Sequence, residues 1–294
     1  LKVLVTGSAG RVGRAIYIQL MQQHHVVGID TTPCSTADFV GDIRDVDLLN
    51  KALDGVDVIV HCAALHAPHV GLLTDSEFED INVKATELLA LEGLKHGIKQ
   101  FIFTSTTALY GHASTPTGTA GWVNEQVKPQ PKTVYHRSKI EAELLLEKIS
   151  HLFNLPLTVL QMSRCFPERA DLMAVYRLSR GIDFRDVASA HACAIDKRLP
   201  GFRRYIISGR TPFDPSMCER LYLDAGTVIR ETVPTLAQEF MQRGWRLPDS
   251  LDRVYDSTLA QKELDWQPKY GFEAVLNMLD SELPEVLPVP GVRY

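Results

Sequence analysis

Three glycines, Gly7, Gly10 and Gly13, stand three residues apart directly behind the apolar run KVLVT at 2–6. This spacing constrains the chain more than any other feature it carries. A buried strand has to end in a turn too tight for side chains, and a helix has to begin inside that turn. Residues 11–23 have the apolar spacing of an amphipathic helix. The same alternation then continues. Strands are expected at 25–30, 39–42, 56–64, 99–105 and 155–162, and helices at 45–53, 75–96 and 134–153. Short apolar strands separated by helices imply βα crossovers and a parallel sheet covered on both faces, hence a doubly wound α/β fold. The regular alternation fails near residue 165, where a shorter, mixed part begins.

A glycine cluster in that position has a use. Gly7 permits the turn, Gly10 lets a pyrophosphate approach the backbone, and Gly13 lets the helix pack close to the strand. The helix start offers free N–H groups and the positive end of its dipole to phosphates. A tight turn with no ligand needs the same glycines, so the context decides. Here the cluster opens a βαβ unit whose second strand ends in an acid, Asp30. A carboxylate there accepts both ribose hydroxyls of NAD and repels the 2′-phosphate of NADP, although Arg11 and Arg14 partly offset that repulsion. The chain is therefore expected to carry a Rossmann-type NAD-binding domain at 1–165. A small mixed substrate-binding region at 166–294 is expected to fold partly back on it.

Composition narrows the partners. Hydrophobic residues are 45% and charged residues 23% of the chain, as in ordinary globular proteins. The net charge of −5 gives no reason to expect nucleic acid or an anionic membrane. No apolar stretch is long enough to span a bilayer, and no signal-like segment opens the chain, so a cytoplasmic protein is expected. The first residue is Leu1, which leaves open whether a leader precedes it. The five cysteines, Cys34, Cys62, Cys165, Cys193 and Cys218, are scattered and read as reduced structural thiols. His61, His66 and His69 lie close together without an HExxH pattern, and no metal site is expected.

The order TGxxGxxG, with Thr6 before Gly7, resembles the short-chain dehydrogenase/reductase superfamily, and later motifs extend the likeness over residues 1 to about 167. They are GDIRD at 41–45, HCAAL at 61–65, NVKAT at 82–86, FTSTTALYG at 103–111 and YHRSK at 135–139. DFRDVASAHACAI and LDWQP further on resemble the extended branch, the NAD-dependent epimerase/dehydratase family. The resemblance implies that NAD is held by Gly7, Gly10, Arg11, Val12, Gly13, Asp30, Asp42, Ile43, Ala63, Ala64, Asn82 and Ser105, together with Tyr135 and Lys139. It also implies a homodimer formed by the helices at 75–96 and 134–153, whose apolar residues include Phe78, Ile81, Leu88, Leu144 and Ile149.

Tyr135 and Lys139 are four apart and share one helix face. A phenol titrates near 10, and a neighbouring ammonium favours its phenolate. Tyr135 can then take the proton of a substrate hydroxyl while hydride leaves the carbon, with Lys139 also holding the nicotinamide ribose. Aligned on Tyr110 and Gly111, the residue that fixes the substrate oxygen falls on Thr106. Family members that dehydrate or decarboxylate carry acids just after it; here stand Thr107, Ala108 and Leu109. What remains is oxidation or reduction of a secondary alcohol of a sugar-like molecule, or an epimerisation that returns the hydride to the opposite face. Between SRCFPE at 163–168 and DFRDV at 183–187 the chain is short, which favours a free sugar or sugar acid over a nucleotide sugar. The candidate substrate contacts are His66, His69, Thr106, Thr107 and Arg164, with Arg177 a weaker one. The proline-rich tail at 282–294 is expected to be extended.

Overall fold

The residues of the first strand divide between two cores. In a computed structural model that describes residues 1–291, Val3 and Val5 pack on one face of a sheet and Leu4 on the other, all fully buried. A strand covered on both sides needs apolar side chains in both directions, which is why KVLVT does not alternate. After β1 (Lys2–Thr6) come α1 (Arg11–Leu20), β2 (His25–Asp30), β3 (Phe39–Val40), α2 (Val46–Ala52) and β4 (Val58–His61). The helical stretch expected at 75–96 is α3 (Asp75–Glu79), a π turn at Asp80–Lys84 and α4 (Ala85–Lys95). β5 (Gln100–Thr106), β6 (Gly121–Val123), α5 (Val134–Phe153) and β7 (Leu157–Met162) follow. The remainder is β8 (Glu168–Arg169), α6 (Ala170–Ser179), α7 (Phe184–Lys197), β9 (Phe202–Ile207), α8 (Cys218–Thr232), α9 (Pro234–Gln242), β10 (Arg253–Tyr255), α10 (Thr258–Leu264), α11 (Phe272–Asp280) and β11 (Val286–Leu287).

Seven parallel strands form the central sheet in the order β3-β2-β1-β4-β5-β7-β9. Helices α1, α7 and α10 cover one face, with Ile16, Leu20, Val187, Ala194, Leu264 and Trp266 buried there. The other face carries α2, α4 and α5 through Leu49, Leu89, Ala142 and Leu146. The winding reverses between β1 and β4, so a crevice opens at the carboxyl ends of those strands.

The boundary expected near residue 165 does not end this sheet. Its seventh strand, β9, lies at 202–207, and α7 packs against α1 beneath it. The rhythm is hidden in the sequence because α6 leaves the sheet and joins a second core. There Ala174, Leu221, Val228, Leu236, Phe240 and Val275 bring together α6, α8, α9 and α11. The tail is non-helical over its described residues, and it returns to its own chain: β11 pairs in parallel with β8, and Val286 is buried. Residues 292–294 of that expectation lie outside the described ones. No helix among the described residues is long and apolar enough to cross a membrane.

Candidate active site

The glycines fix the floor of the crevice by close approach. Gly7 has φ +69°, and a Cβ on it would sit 2.7 Å from the Ala63 nitrogen. A Cβ on Gly13 would lie 2.1 Å from the Gly7 carbonyl oxygen, so α1 can pack here only on a bare backbone. At Gly10 a Cβ would meet the Gly7 oxygen alone, at 3.3 Å, and would otherwise project into the space above. Gly10 is the N-cap of α1; no side chain caps this helix and no acid stands in its first turn. The start of α1 is thus left to a ligand with negative charge.

Above this floor runs a cleft of about 580 Å³. Gly7, Gly10, Arg11, Val12, Gly13, Asp30, Asp42, Ile43, Ala63 and Ala64 all line it, as do Ser105, Thr106, Thr107, Tyr135 and Lys139. The Asp30 carboxylate sits at the end of β2. One oxygen accepts from the Ala9 N–H at 3.0 Å and the other from the Thr32 N–H at 2.8 Å, which aims the group and leaves further lone pairs free. Asp42 is bound by Arg44 at 2.6 Å, and that hydrogen bond holds its carboxyl low.

Tyr135 and Lys139 enter from α5, which begins at its N-cap Thr133. Both side chains are buried. The Lys139 ammonium donates to the Thr104 carbonyl at 3.0 Å and lies 4.3 Å from the centre of the Phe103 ring. Burial lowers it to about 8, against the pull of Cys62 and Glu143. Burial also pushes the Tyr135 phenol up to about 12, while a hydrogen bond with the Thr106 hydroxyl draws it back. Thr106 ends β5 and its hydroxyl oxygen also accepts the Ala108 N–H at 3.1 Å. The three residues expected to act together therefore meet at one end of the cleft.

Several expected contacts have other partners. Asn82, in the π turn, does not line the cleft: its side chain accepts from the Leu65 N–H and donates to the Leu65 carbonyl and Ser138, at 2.8 to 2.9 Å. Its contribution is to fix the loop after β4 against α5. Ser105 turns its hydroxyl to the buried Glu143 at 2.5 Å, in a network that also takes in Gln161 and Arg204. Arg11 reaches away from the glycine turn to Glu285 and the Cys165 carbonyl. His66 lines the cleft, but His69 stands behind it and accepts the His66 N–H at 3.0 Å. Arg164 lines the cleft and pairs with Glu168. Arg177 is withdrawn into the core, where it pairs with Asp183 at 3.0 Å.

Among the cleft residues that the sequence reading did not single out are Ser163, Arg180, Arg253 and Tyr255. Arg180 and Arg253 are brought together by the second core, and no local signal could have found them.

A glycine-floored crevice at the switch point of a parallel sheet is the frame of a Rossmann-type nucleotide-binding fold. Residues 3–176 match the model of the NAD dependent epimerase/dehydratase family, and the chain belongs to that family. An uncharacterized UDP-glucose epimerase of Bacillus subtilis is 29% identical over 201 residues, which are 60% of this chain and 61% of that protein. This chain thus spans about three fifths of that relative's length. In fold it is similar to an Agrobacterium tumefaciens short-chain dehydrogenase/reductase superfamily protein with bound NAD (TM-score 0.73, 18% identity, 96% of each chain). It is also similar to the UDP-glucose 4-epimerase of Thermotoga maritima with UDP-glucose (TM-score 0.70, 20% identity, 96% of this chain and 99% of that one).

Proposed function

We propose that the protein is an NAD-dependent oxidoreductase acting at a secondary alcohol of a sugar or sugar-acid substrate. The observation that carries this reading is the meeting of Thr106, Tyr135 and Lys139 in the cleft that the glycine turn floors. The bare backbone at Gly10 and the uncapped start of α1 fit a pyrophosphate, and the aimed Asp30 carboxylate fits a ribose diol. A nicotinamide dinucleotide held there supplies the hydride acceptor and, when oxidised, a positive ring. Thr106 places the substrate hydroxyl, Tyr135 takes its proton, and the Lys139 ammonium favours the phenolate that accepts it. Thr107, Ala108 and Leu109 offer no second acid or base, which disfavours dehydration and decarboxylation.

An epimerase is the second reading. It uses the same three residues, and the epimerases among the similar proteins favour it. Growth of NADH absorbance with substrate supports the dehydrogenase; inverted product without net NADH supports the epimerase.

NAD should bind more tightly than NADP, because the Asp30 carboxylate repels a 2′-phosphate. Asp30→Ala should narrow the difference by about 10-fold, the scale of one lost hydrogen bond to a charged group. Isothermal titration with both cofactors measures this, and a preference for NADP in the unmutated chain would contradict it.

We also infer a homodimer through α4 and α5. Leu144 is exposed on α5, as are Leu152 and Phe153 at its end, whereas Phe78 and Ile149 are buried in the protomer and belong to the fold rather than to a contact. Light scattering at micromolar concentration should give twice the chain mass; a monomer mass refutes the contact.

A further inference from the structure

Helix α5 presents three buried polar groups on one face, four residues apart: Tyr135, Lys139 and Glu143. Each grips one of three consecutive residues of β5. Tyr135 bonds the Thr106 hydroxyl, Lys139 donates to the Thr104 carbonyl at 3.0 Å, and Glu143 accepts the Ser105 hydroxyl at 2.5 Å. We propose that Glu143 is a positioning residue of the reaction: it fastens α5 to the end of β5 and supplies the countercharge to the Lys139 ammonium. This deepens the proposed hydride transfer and rests on that reading for what Lys139 does.

Glu143 stands behind the cleft rather than on its wall, so it acts through its neighbours. Its carboxylate gathers three strands. Ser105 comes from β5, Gln161 from β7 with Nε2 at 3.0 Å from both oxygens, and Arg204 from β9 with Nε at 2.7 Å. The Tyr110 hydroxyl donates to the Gln161 Oε1 at 2.8 Å, which turns the Gln161 NH₂ toward Glu143. A neutral amide at 143 could accept from Ser105 equally well, and a buried carboxylate is costly unless a cation answers it. Arg204 answers it in part, yet Arg204 is partly exposed and also stands 4.0 Å from Glu147. The Lys139 ammonium is buried and makes no ion pair with any other carboxylate among the described residues.

The other groups around Lys139 carry no charge where it titrates. Burial lowers Lys139 to about 8, with Cys62 and Glu143 pulling the other way. Burial pushes the Cys62 thiol, just after β4, up to about 11, so it is neutral in that range. His61 and His66 are both lowered by burial and are neutral there as well. The Tyr135 phenol is pushed up to about 12. Glu143 is thus the negative group that works on the ammonium. One helical turn puts the two Cβ atoms about 6 Å apart. At that range a buried carboxylate moves an ammonium's titration by about one pH unit, even after Arg204 takes part of its charge.

The test follows NAD binding to the full chain by calorimetry across the range in which Lys139 loses its proton, since the ammonium is the form that holds the nicotinamide ribose. Affinity of the unmutated chain should fall with a midpoint at about 8. Glu143→Gln should move that midpoint down by about one pH unit. Arg204→Gln leaves the Ser105 and Gln161 bonds to the carboxylate in place and should move it up. Glu143→Asp keeps the charge and should restore most of the midpoint. A role confined to folding gives no such opposite movements. With a sugar that is turned over, Glu143→Gln should lower kcat by about 5-fold at about pH 8 and leave KM nearly unchanged. No midpoint in the unmutated chain overturns the proposal, as does a midpoint that stays put in both Gln variants. So does an Asp variant that behaves as the Gln variant does. If Glu143→Gln fails to fold, the direction in Arg204→Gln decides. Absence of turnover on every sugar counts instead against the hydride-transfer reading, and the binding midpoints still decide the role of Glu143.

Discussion

Replacing Tyr135 with Phe is expected to lower turnover by about 10²-fold or more while NAD still binds, since it removes the group that the proposed function makes the base. The environment makes the expectation sharp. The phenol is buried, and burial holds it at about 12 even with the Thr106 hydrogen bond drawing it down. Two features favour the phenolate. The Thr106 hydroxyl hydrogen-bonds the phenol, and Lys139 follows one helical turn later on α5 with its ammonium inside the fold. Removing the hydroxyl leaves the ring to fill the same space, so folding and the glycine floor are untouched. The measurement is steady-state NADH formation beside NAD titration on one preparation. Normal turnover in this variant would show that the chemistry is carried elsewhere.

The protein is expected to unfold on mild acidification, because two histidines are buried where the charged imidazolium is disfavoured. His61 holds Thr6 and Thr86 at 2.7 and 2.8 Å. The Thr86 hydroxyl donates to the Asn82 carbonyl, so its oxygen accepts from Nε2–H and Nδ1 must accept from Thr6. His191 lies 2.8 Å from the Val187 carbonyl through Nδ1 and 2.8 Å from Thr104 through Nε2, which again leaves one nitrogen as an acceptor. Burial lowers His61 to about 3 and His191 to about 4. The unfolded chain binds these protons below its ordinary value of 6.5. Between those limits the unfolded state holds more protons, so stability present at neutral pH is lost as pH falls. By pH 4 the two sites together remove about 6 kcal/mol, a large part of the roughly 5–15 kcal/mol of a typical domain. Asp186 and Glu125, whose carboxyls burial raises, work in the opposite direction. Circular dichroism against pH measures the midpoint. His191→Gln, which cannot take the proton, should move it to lower pH; an unchanged midpoint would place the acid sensitivity elsewhere.

The sequence by itself determined the first half of the fold. The strands of the central sheet up to β7 and the helices between them follow from runs of Val, Ile and Leu that need two covered faces, and from glycines that admit no Cβ; the short β6, outside that sheet in a stretch read as a loop, did not. Tyr135 and Lys139 were legible because four residues on a helix make one face, whatever the helix packs against. The acid at the end of β2 was legible for a similar reason, since the strand carries it to the mouth of the turn. Side-chain direction within the motifs was not. Asn82, Ser105 and Arg11 lie where the motifs put their backbones, yet their polar groups are taken by Leu65, Glu143 and Glu285. A motif fixes local backbone, whereas a hydrogen bond depends on what the rest of the chain brings within about 3 Å. The seventh strand was hidden because α6 leaves the sheet for the second core before the chain returns to complete it. That same second core carries Arg180 and Arg253 to the cleft from positions 73 residues apart along the chain. Only tertiary packing could decide their juxtaposition, because no periodicity relates residues so distant, and with it the charge on that side of the cleft.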